Sequence, residues 1–306
     1  MRHITERIAW GVAGALALAL VAVVAGLVSA GPLDPTSPPG STDGVRRPGT
    51  PIDHLPFTIS APGSYYFTRN LRAADFGLTN DQNGITITGD GVTLDLAGFE
   101  LRGTNVAGAG SGIAVVGLRG DIIITNGVIR FWSNAGIVGA QAVRSRFSDL
   151  QIALNRGTGV FVASGNDIEN VRSAENEGSG IIISDEGTFY VGGSIENCQI
   201  TNNDVIGIAV AAEQMTLKGN IVAGNVSFGL LIEGERNVIT DNAITGNGQG
   251  MRVLAHSNAI TANHVSGNTG LEIEIFPQPA STTRIGPAIS TIALTTDNPF
   301  ANVVYD

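Results

Sequence analysis

A repeat of 21 to 22 residues constrains the fold of this 306-residue chain more than any other feature of its sequence. Each unit reads apolar-x-x-Asn-x-apolar-x-x-Asn, then a short gap, then Gly-apolar-x-apolar. The clearest copies are Leu217–Asn225 with Gly229–Ile232, Ile239–Asn247 with Gly250–Val253, and Ile260–Asn268 with Gly270–Ile273. A fixed period of this length is typical of a solenoid, in which each repeat stacks on its neighbours.

Alternation of apolar and polar residues within each unit predicts short β-strands and not helices. A unit of this length holds about three strands and three turns, which is one coil, and coils stack at the ~4.8 Å spacing of paired strands. The sequence therefore predicts an all-β fold, a right-handed parallel β-helix. Asparagines at equivalent places in successive coils are expected to form a hydrogen-bonded ladder inside the stack.

The Gly-apolar-x-apolar pattern marks the coils between residues 84 and 275. Its glycines after the first coil are Gly112, Gly136, Gly159, Gly180, Gly207, Gly229, Gly250 and Gly270. The first asparagine of the unit is replaced by Leu150, Val171 and Cys198 in earlier coils. Cys198 is thus expected to be a buried thiol within the stack. One longer coil carries an insertion over residues 184–193.

The ends of the chain differ in composition from the repeats. Residues 1–30 form a targeting segment, in which an apolar run precedes a Val28–Ala30 cleavage site. This pattern favours a cleaved signal peptide, and a retained membrane anchor is the alternative. A Pro- and Gly-rich linker at 31–51 is predicted to be disordered. Residues 52–83 are predicted to form an N-terminal β cap, and 276–306 a C-terminal capping tail.

Charge and cysteine content exclude several classes of function. The formal net charge of −10 argues against a nucleic-acid partner, because phosphate binding requires a basic face. A single cysteine excludes an intrachain disulfide framework and the usual cysteine-based zinc sites. No cofactor is assigned from the sequence, apart from the calcium considered below.

The repeats, with the segments Leu55–Tyr66 and Val92–Phe99, resemble the right-handed parallel β-helix proteins of the pectin-lyase-like superfamily, in its secreted bacterial members. That resemblance covers residues 84–275 and implies a fold shared by polysaccharide lyases, glycoside hydrolases, epimerases and adhesins. The polygalacturonase motifs Asn-Thr-Asp, Asp-Asp and Gly-His-Gly are absent, as is the Asp-Pro-His-Asp motif of alginate epimerases. His256 and His264 are interpreted as solvated residues outside any histidine or carboxylate cluster.

Acidic residues recur in the loops after successive Gly-apolar-x-apolar strands. They are Asp167, Asp185, Glu186, Glu213, Glu233 and Glu235, with Arg236 beside the last. A calcium-dependent lyase would use Asp185, Glu213 and Glu233 as calcium ligands and Arg236 as the base. The alternative is that these loops are acidic simply because they are solvated.

A row of apolar residues is predicted on the outer surface, at the x position of Gly-apolar-x-apolar. It contains Ala114, Val138, Phe161, Ile182, Ala209 and Leu231, and it turns polar at Arg252 and Glu272. We call the apolar part the apolar stripe. Phe161, Ile182 and Leu231 are the candidate binding residues for a glycan or a protein. The alternative is that the tail 277–306, or a second molecule, covers the stripe.

Taken together, these patterns favour an exported, non-catalytic β-helix that binds glycans or proteins at the cell surface or in the periplasm. A polysaccharide lyase or hydrolase acting on an acidic polysaccharide, and a structural oligomerising component, are the alternatives. The expected partners are a polysaccharide or a cell-surface protein. The only expected membrane contact is through the N-terminal segment.

Overall fold

The computed structural model describes residues 48–184 and 190–275, together with the backbone of three short strands further on. The predicted targeting segment and most of the linker lie outside the described residues, as do residues 185–189 of the insertion. A short 3-10 helix, Ala73–Phe76, lies among the first strands. Within the described residues, no helix is both long and apolar enough to cross a membrane.

The strands are, in chain order, β1 (Thr50–Ile52), β2 (Phe57–Ile59), β3 (Gly63–Phe67), β4 (Leu71–Arg72), β5 (Ile85–Ile87), β6 (Val92–Asp95), β7 (Glu100–Arg102), β8 (Ile113–Val115), β9 (Arg119–Gly120), β10 (Ile123–Arg130), β11 (Ile137–Gly139), β12 (Ala142–Val143), β13 (Arg146–Ala153), β14 (Val160–Ala163), β15 (Asn166–Glu169), β16 (Arg172–Ala174), β17 (Ile181–Ser184), β18 (Gly193–Glu196), β19 (Gln199–Thr201), β20 (Ile208–Val210), β21 (Thr216–Lys218), β22 (Ile221–Ala223), β23 (Phe228–Ile232), β24 (Val238–Thr240), β25 (Ala243–Thr245), β26 (Gln249–Val253), β27 (Ala259–Thr261), β28 (His264–Ser266), β29 (Ile273–Ile275), β30 (Arg284–Ile285), β31 (Ala288–Ile289) and β32 (Asn302–Tyr305).

The strands form two long parallel sheets, which confirms the predicted parallel β-helix. Sheet 2 takes one strand from each coil, in the order β2, β5, β8, β11, β14, β17, β20, β23, β26 and β29. Sheet 1 takes two successive segments from each coil, such as β21 and β22, which pair with β24 and β25 of the next coil. β9 and β12 form a small third sheet. The predicted cap residues 52–83 already follow this pattern, because β2 pairs with β5 and β3 pairs with β6.

In the coils between residues 84 and 275, alternate residues of the sheet strands point into the solenoid, where they stack on their equivalents in the next coil. Leu217, Ile239 and Ile260 form one such inward column, and all three are 0% exposed. Burying a side chain of this size contributes ~1.5–3 kcal/mol, and repetition over the coils stabilises a long, narrow core. Because each inward residue stacks on its equivalent in the next coil, one repeat of the sequence corresponds to one coil of the structure.

The predicted asparagine ladder is confirmed. In Asn225 the Nδ2 atom donates to Oδ1 of Asn247 at 2.9 Å, and Nδ2 of Asn247 donates to Oδ1 of Asn268 at 3.0 Å. The same ladder begins at Asn155 and passes through Asn176 and Asn203. Each Oδ1 also accepts a backbone N–H from the preceding coil. The ladder therefore satisfies both side chains and main chain at a buried corner.

A second ladder runs through Asn220, Asn242 and Asn263, again with Nδ2 to Oδ1 distances of 2.9 Å. It ends at Cys198, whose backbone N–H donates to Oδ1 of Asn220 at 3.0 Å. Desolvation by burial raises the pKa of the Cys198 thiol to about 12. The thiol is therefore protonated at neutral pH and packs in the core, as the sequence predicts.

The final coil corrects one predicted register. Glu274, and not Glu272, pairs with Arg252 and takes the outward position of the strand. Gly270 donates its N–H to the carbonyl of Gly248, so it lies two residues ahead of the expected glycine position. Glu272 has a different role, because its carboxylate accepts hydrogen bonds from the backbone and side chain of Asn268. A carboxylate thus satisfies the last amide of the ladder, where no further asparagine follows.

The described strands of the tail extend sheet 1. β30 pairs with β27, and β32 pairs with β28. They lie at the last coil of sheet 1, whereas the apolar stripe belongs to sheet 2. The prediction that residues 277–306 cover the stripe is therefore not met by these strands, and the rest of the tail lies outside the described residues.

Candidate functional site

Four of the loop residues come together, in what we call the loop cluster: Glu213, Glu235, Arg236 and His256. Arg236 forms an ion pair with Glu213 and lies 3.7 Å from Glu235. His256 Nε2 lies 2.8 Å from Oε1 of Glu235. The interpretation of His256 as a residue away from carboxylates was wrong. Spacings of 22 and 21 residues (213 to 235 to 256) stack these positions in successive coils, which the period alone would have shown.

The other predicted loop residues do not join this cluster. Asp167 lies on β15 in sheet 1, where it accepts a hydrogen bond from Ser194 at 3.0 Å. Glu233 is exposed and forms no ion pair with the described residues. Asp185 and Glu186 lie outside the described residues. Within the described part of the chain, no group of three His, Cys, Asp or Glu side chains is placed to hold a metal ion.

The apolar stripe is in line as predicted but is less exposed than a bare apolar face. Val138, Phe161, Ile182 and Leu231 occupy equivalent positions of sheet 2, and all four are half-buried. Ala114, the first member, is only 4% exposed. Side chains at the ~4.8 Å strand spacing cover one another, so much of this surface is buried within the stripe itself.

A row of arginines lies on the outer surface of sheet 1, in the first coils. Arg72 pairs in register with Arg102, and Arg102 with Arg130. We call these three residues the arginine column. Neighbouring guanidinium groups at about the strand spacing repel one another by roughly 1 kcal/mol in water. Among the described residues one carboxylate serves two of them, since Glu100 pairs with Arg130 and lies 3.8 Å from Nη1 of Arg102.

The surroundings of the arginine column hold it in place. Glu100 is only 7% exposed, so its charge is held close beneath the guanidinium groups. The guanidinium carbon of Arg102 lies 4.4 Å from the ring centre of Phe131, and that of Arg130 lies 5.5 Å away. Arg72 forms no hydrogen bond or ion pair with the described residues. The column therefore carries two more positive charges than its one carboxylate neutralises.

Phe131 occupies an unusual place for an aromatic residue. Its φ is 63°, at a left-handed corner that the next coils fill with Leu154, Glu175 and Asn202, and later coils with glycines such as Gly224. The left-handed backbone therefore belongs to the coil corner in general. At Phe131 this corner places the ring under two arginines, where cation–π contacts hold their guanidinium groups. This arrangement can bind an anion through charge-assisted hydrogen bonds.

The arginine column was not predicted from the sequence. The two coils that carry it are 30 and 28 residues long (72 to 102 to 130), so the 22-residue period does not align them. Only the pairing of strands β4, β7 and β10 shows that the three arginines are neighbours.

Comparisons with known proteins agree with this fold. A family model described as NosD, periplasmic copper-binding protein, matches residues 83–275. The chain belongs to the NosD family. The A-module of the Azotobacter vinelandii mannuronan C-5 epimerase AlgE4 is similar in structure, with a TM-score of 0.59, 16% identity and 80% of each chain covered.

Two further solved structures are similar at low sequence identity. Pectate lyase Pel9A has a TM-score of 0.53 and 15% identity, covering 78% of this chain and 68% of the enzyme. ORF18 of Geobacillus virus E2 has a TM-score of 0.59 and 11% identity, covering 76% and 50%. Comparison with curated proteins gives no match. At these identities the structural likeness shows the fold alone.

The NosD description names copper, and the metal-binding side chains that the structure describes do not match it. Copper sites favour His, Cys and Met donors. Cys198, Met215 and Met251 are 1%, 0% and 0% exposed in the core. His54 and His256 lie beside the carboxylates of Asp53 and Glu235, and the ring of His264 lies 3.0 Å from Ser266 Oγ. The described residues therefore do not form a copper site, and no chemical step through copper is derived for this chain.

Proposed function

We propose that this NosD-family protein is an exported, non-catalytic β-helix that binds an anionic glycan through the arginine column. The alignment of Arg72, Arg102 and Arg130 beside one buried carboxylate carries the proposal. Guanidinium groups match carboxylates with paired hydrogen bonds, which makes arginine well suited to acidic sugars. The periplasmic description of the family and the predicted leader at residues 1–30 support a location outside the cytoplasm.

The ion pairs of the loop cluster argue against acid–base catalysis by its residues. A general base has to accept a proton from the substrate, so its carboxylate or imidazole must be within reach of that proton. Glu213 and Glu235 are instead paired with Arg236 and His256. The proposed lyase base Arg236 is likewise paired with two carboxylates. These contacts fit a surface ion-pair network better than an acid–base pair.

The decisive experiment measures binding of the purified protein to short galacturonate oligomers by calorimetry. Replacing Arg102→Gln removes the central guanidinium and should weaken binding at least tenfold, because a hydrogen bond to a charged group contributes ~1.5–3 kcal/mol. Arg146→Gln is the matched control, since Arg146 lies on the same sheet but pairs with Glu169 away from the column. Equal weakening by both variants, or no binding by the unmodified protein, would contradict the proposal.

The lyase alternative is tested in the same samples. Incubation with polygalacturonate, with and without calcium, should give no rise in the ultraviolet absorbance of unsaturated products. A rise that depends on Glu213 or Arg236 would establish the enzyme instead. Neutral dextran, which lacks carboxylates, should not bind.

A further inference from the structure

We propose that the arginine column is one end of a longer binding track, and that its ligand is a linear acidic polysaccharide lying across the strands. This inference rests on the proposed function and extends it from an anion site to a polymer site. It concerns the outward residues of the second sheet-1 segment of each coil.

Polar side chains continue beyond the arginine column in the next three coils. Gln151 pairs in register with Arg172, and Arg172 pairs with Gln199. Their row runs back through Val128, two residues before Arg130 on the same strand, to Glu100, two residues before Arg102. Outward residues two apart share a face of the sheet, so this row adjoins the arginine column. In coil order the track is Arg72, Arg102, Arg130, Gln151, Arg172 and Gln199.

The exposure of these side chains leaves them free to bind a ligand. Arg72, Arg172 and Gln199 are exposed, and Gln151 is half-buried. Like Arg72, Arg172 forms no ion pair with the described residues. From Arg72 to Arg172 there are four steps of ~4.8 Å, which is about 19 Å. A single small anion contacts one or two of these groups, whereas only an extended ligand reaches all of them.

The chemistry of the track favours a polysaccharide over a nucleic acid. Arginines supply charge for carboxylates, and the two glutamines both donate and accept hydrogen bonds, which suits the hydroxyl groups between the charges. Charge does not separate the two ligands, because a polyuronate and a nucleic acid are both polyanions. Single-stranded nucleic acids are usually held by aromatic side chains on which the bases stack, and none of the six track residues is aromatic.

The test is a series of galacturonate oligomers of increasing length, measured by calorimetry with three proteins. With the unmodified protein, affinity should rise with length until the oligomer spans the track, and then level off. Arg172→Gln should lower affinity for long oligomers about tenfold and leave the shortest oligomers unaffected. Arg102→Gln should weaken both, because the column contacts every oligomer.

The outcomes separate the track from the anion site. If Arg172→Gln affects binding of no oligomer, or if affinity does not rise with length, the proposed track is wrong. In that case, weaker binding of short oligomers by Arg102→Gln would still support an anion site at the arginine column. If no oligomer binds at all, the proposed function itself fails. Single-stranded DNA of matched length serves as a competitor, and tighter binding of DNA than of the oligomers would overturn the polysaccharide assignment.

Discussion

At the scale of single residues, asparagine makes the coil corner possible. In Asn247 the Oδ1 atom accepts from both Nδ2 and the backbone N–H of Asn225, and its Nδ2 donates to Asn268 and to the carbonyl of Val222 at 3.0 Å. One side chain therefore satisfies groups in three coils. Removing it leaves buried polar atoms without partners.

We therefore expect Asn247→Ala to lower the free energy of unfolding by ~1–3 kcal/mol or more, in proportion to the number of hydrogen bonds left unmade. Denaturant unfolding followed by far-ultraviolet circular dichroism measures this. Gln199→Ala is the matched control, because it deletes an amide from the exposed side of a strand. An Asn247→Ala protein as stable as the control would show that the ladder contributes little.

Glycine at the start of the sheet-2 strands in the regular coils is a consequence of the ladder. A Cβ atom on Gly207 would lie 2.5 Å from Cγ1 of Val222, 2.6 Å from the carbonyl oxygen of Gly229 and 2.8 Å from Nδ2 of Asn225. The same contacts recur at Gly180 and Gly229 with their own ladder asparagines. The glycine of the Gly-apolar-x-apolar pattern is thus required because its backbone lies too close to the ladder amide for a Cβ atom to fit.

At the scale of a strand, Gly207→Ala should therefore force β20 away from the corner. Overpacking a tight interior costs ~1–3 kcal/mol, and here it also separates Asn225 from its partners. Ala209→Ser adds one atom to the same strand on its outward side and is the control. A loss of stability confined to Gly207→Ala in thermal unfolding is the expected result, and equal midpoints would contradict it.

The regularity of the elements decided what the sequence could predict. Coils between Gly136 and Gly250 are 21 to 23 residues long, apart from the 27-residue coil that carries the insertion, so their strands, ladder and apolar stripe could be predicted from the period. The exception is the final coil, where a carboxylate replaces the ladder asparagine and Gly270 falls out of register. The arginine column is in the two longest early coils, whose register depends on strand pairing and not on spacing.

At the scale of the whole solenoid, each sheet has two ends at which strand edges need partners. Unpaired edges template association with other chains. At the C-terminal end, β30 and β32 pair with the edges of β27 and β28. The described strands of the tail therefore pair with the last strands of sheet 1. The sequence had instead predicted that the tail covers the apolar stripe on sheet 2.

Deleting residues 276–306 should accordingly expose the edges of β27 and β28 and make the protein self-associate, as measured by analytical ultracentrifugation.

Two surfaces are then available, the strand edges and the apolar stripe, and substitutions distinguish them. Val265→Pro in the truncated protein removes an edge N–H and disfavours strand pairing, so it should reduce association. Phe161→Ser makes the stripe polar and should leave association unchanged. If Phe161→Ser abolishes association, the tail shields the stripe after all. If the truncated protein stays monomeric, the edges of the last coil are protected by their own twist and side chains, and the tail is dispensable.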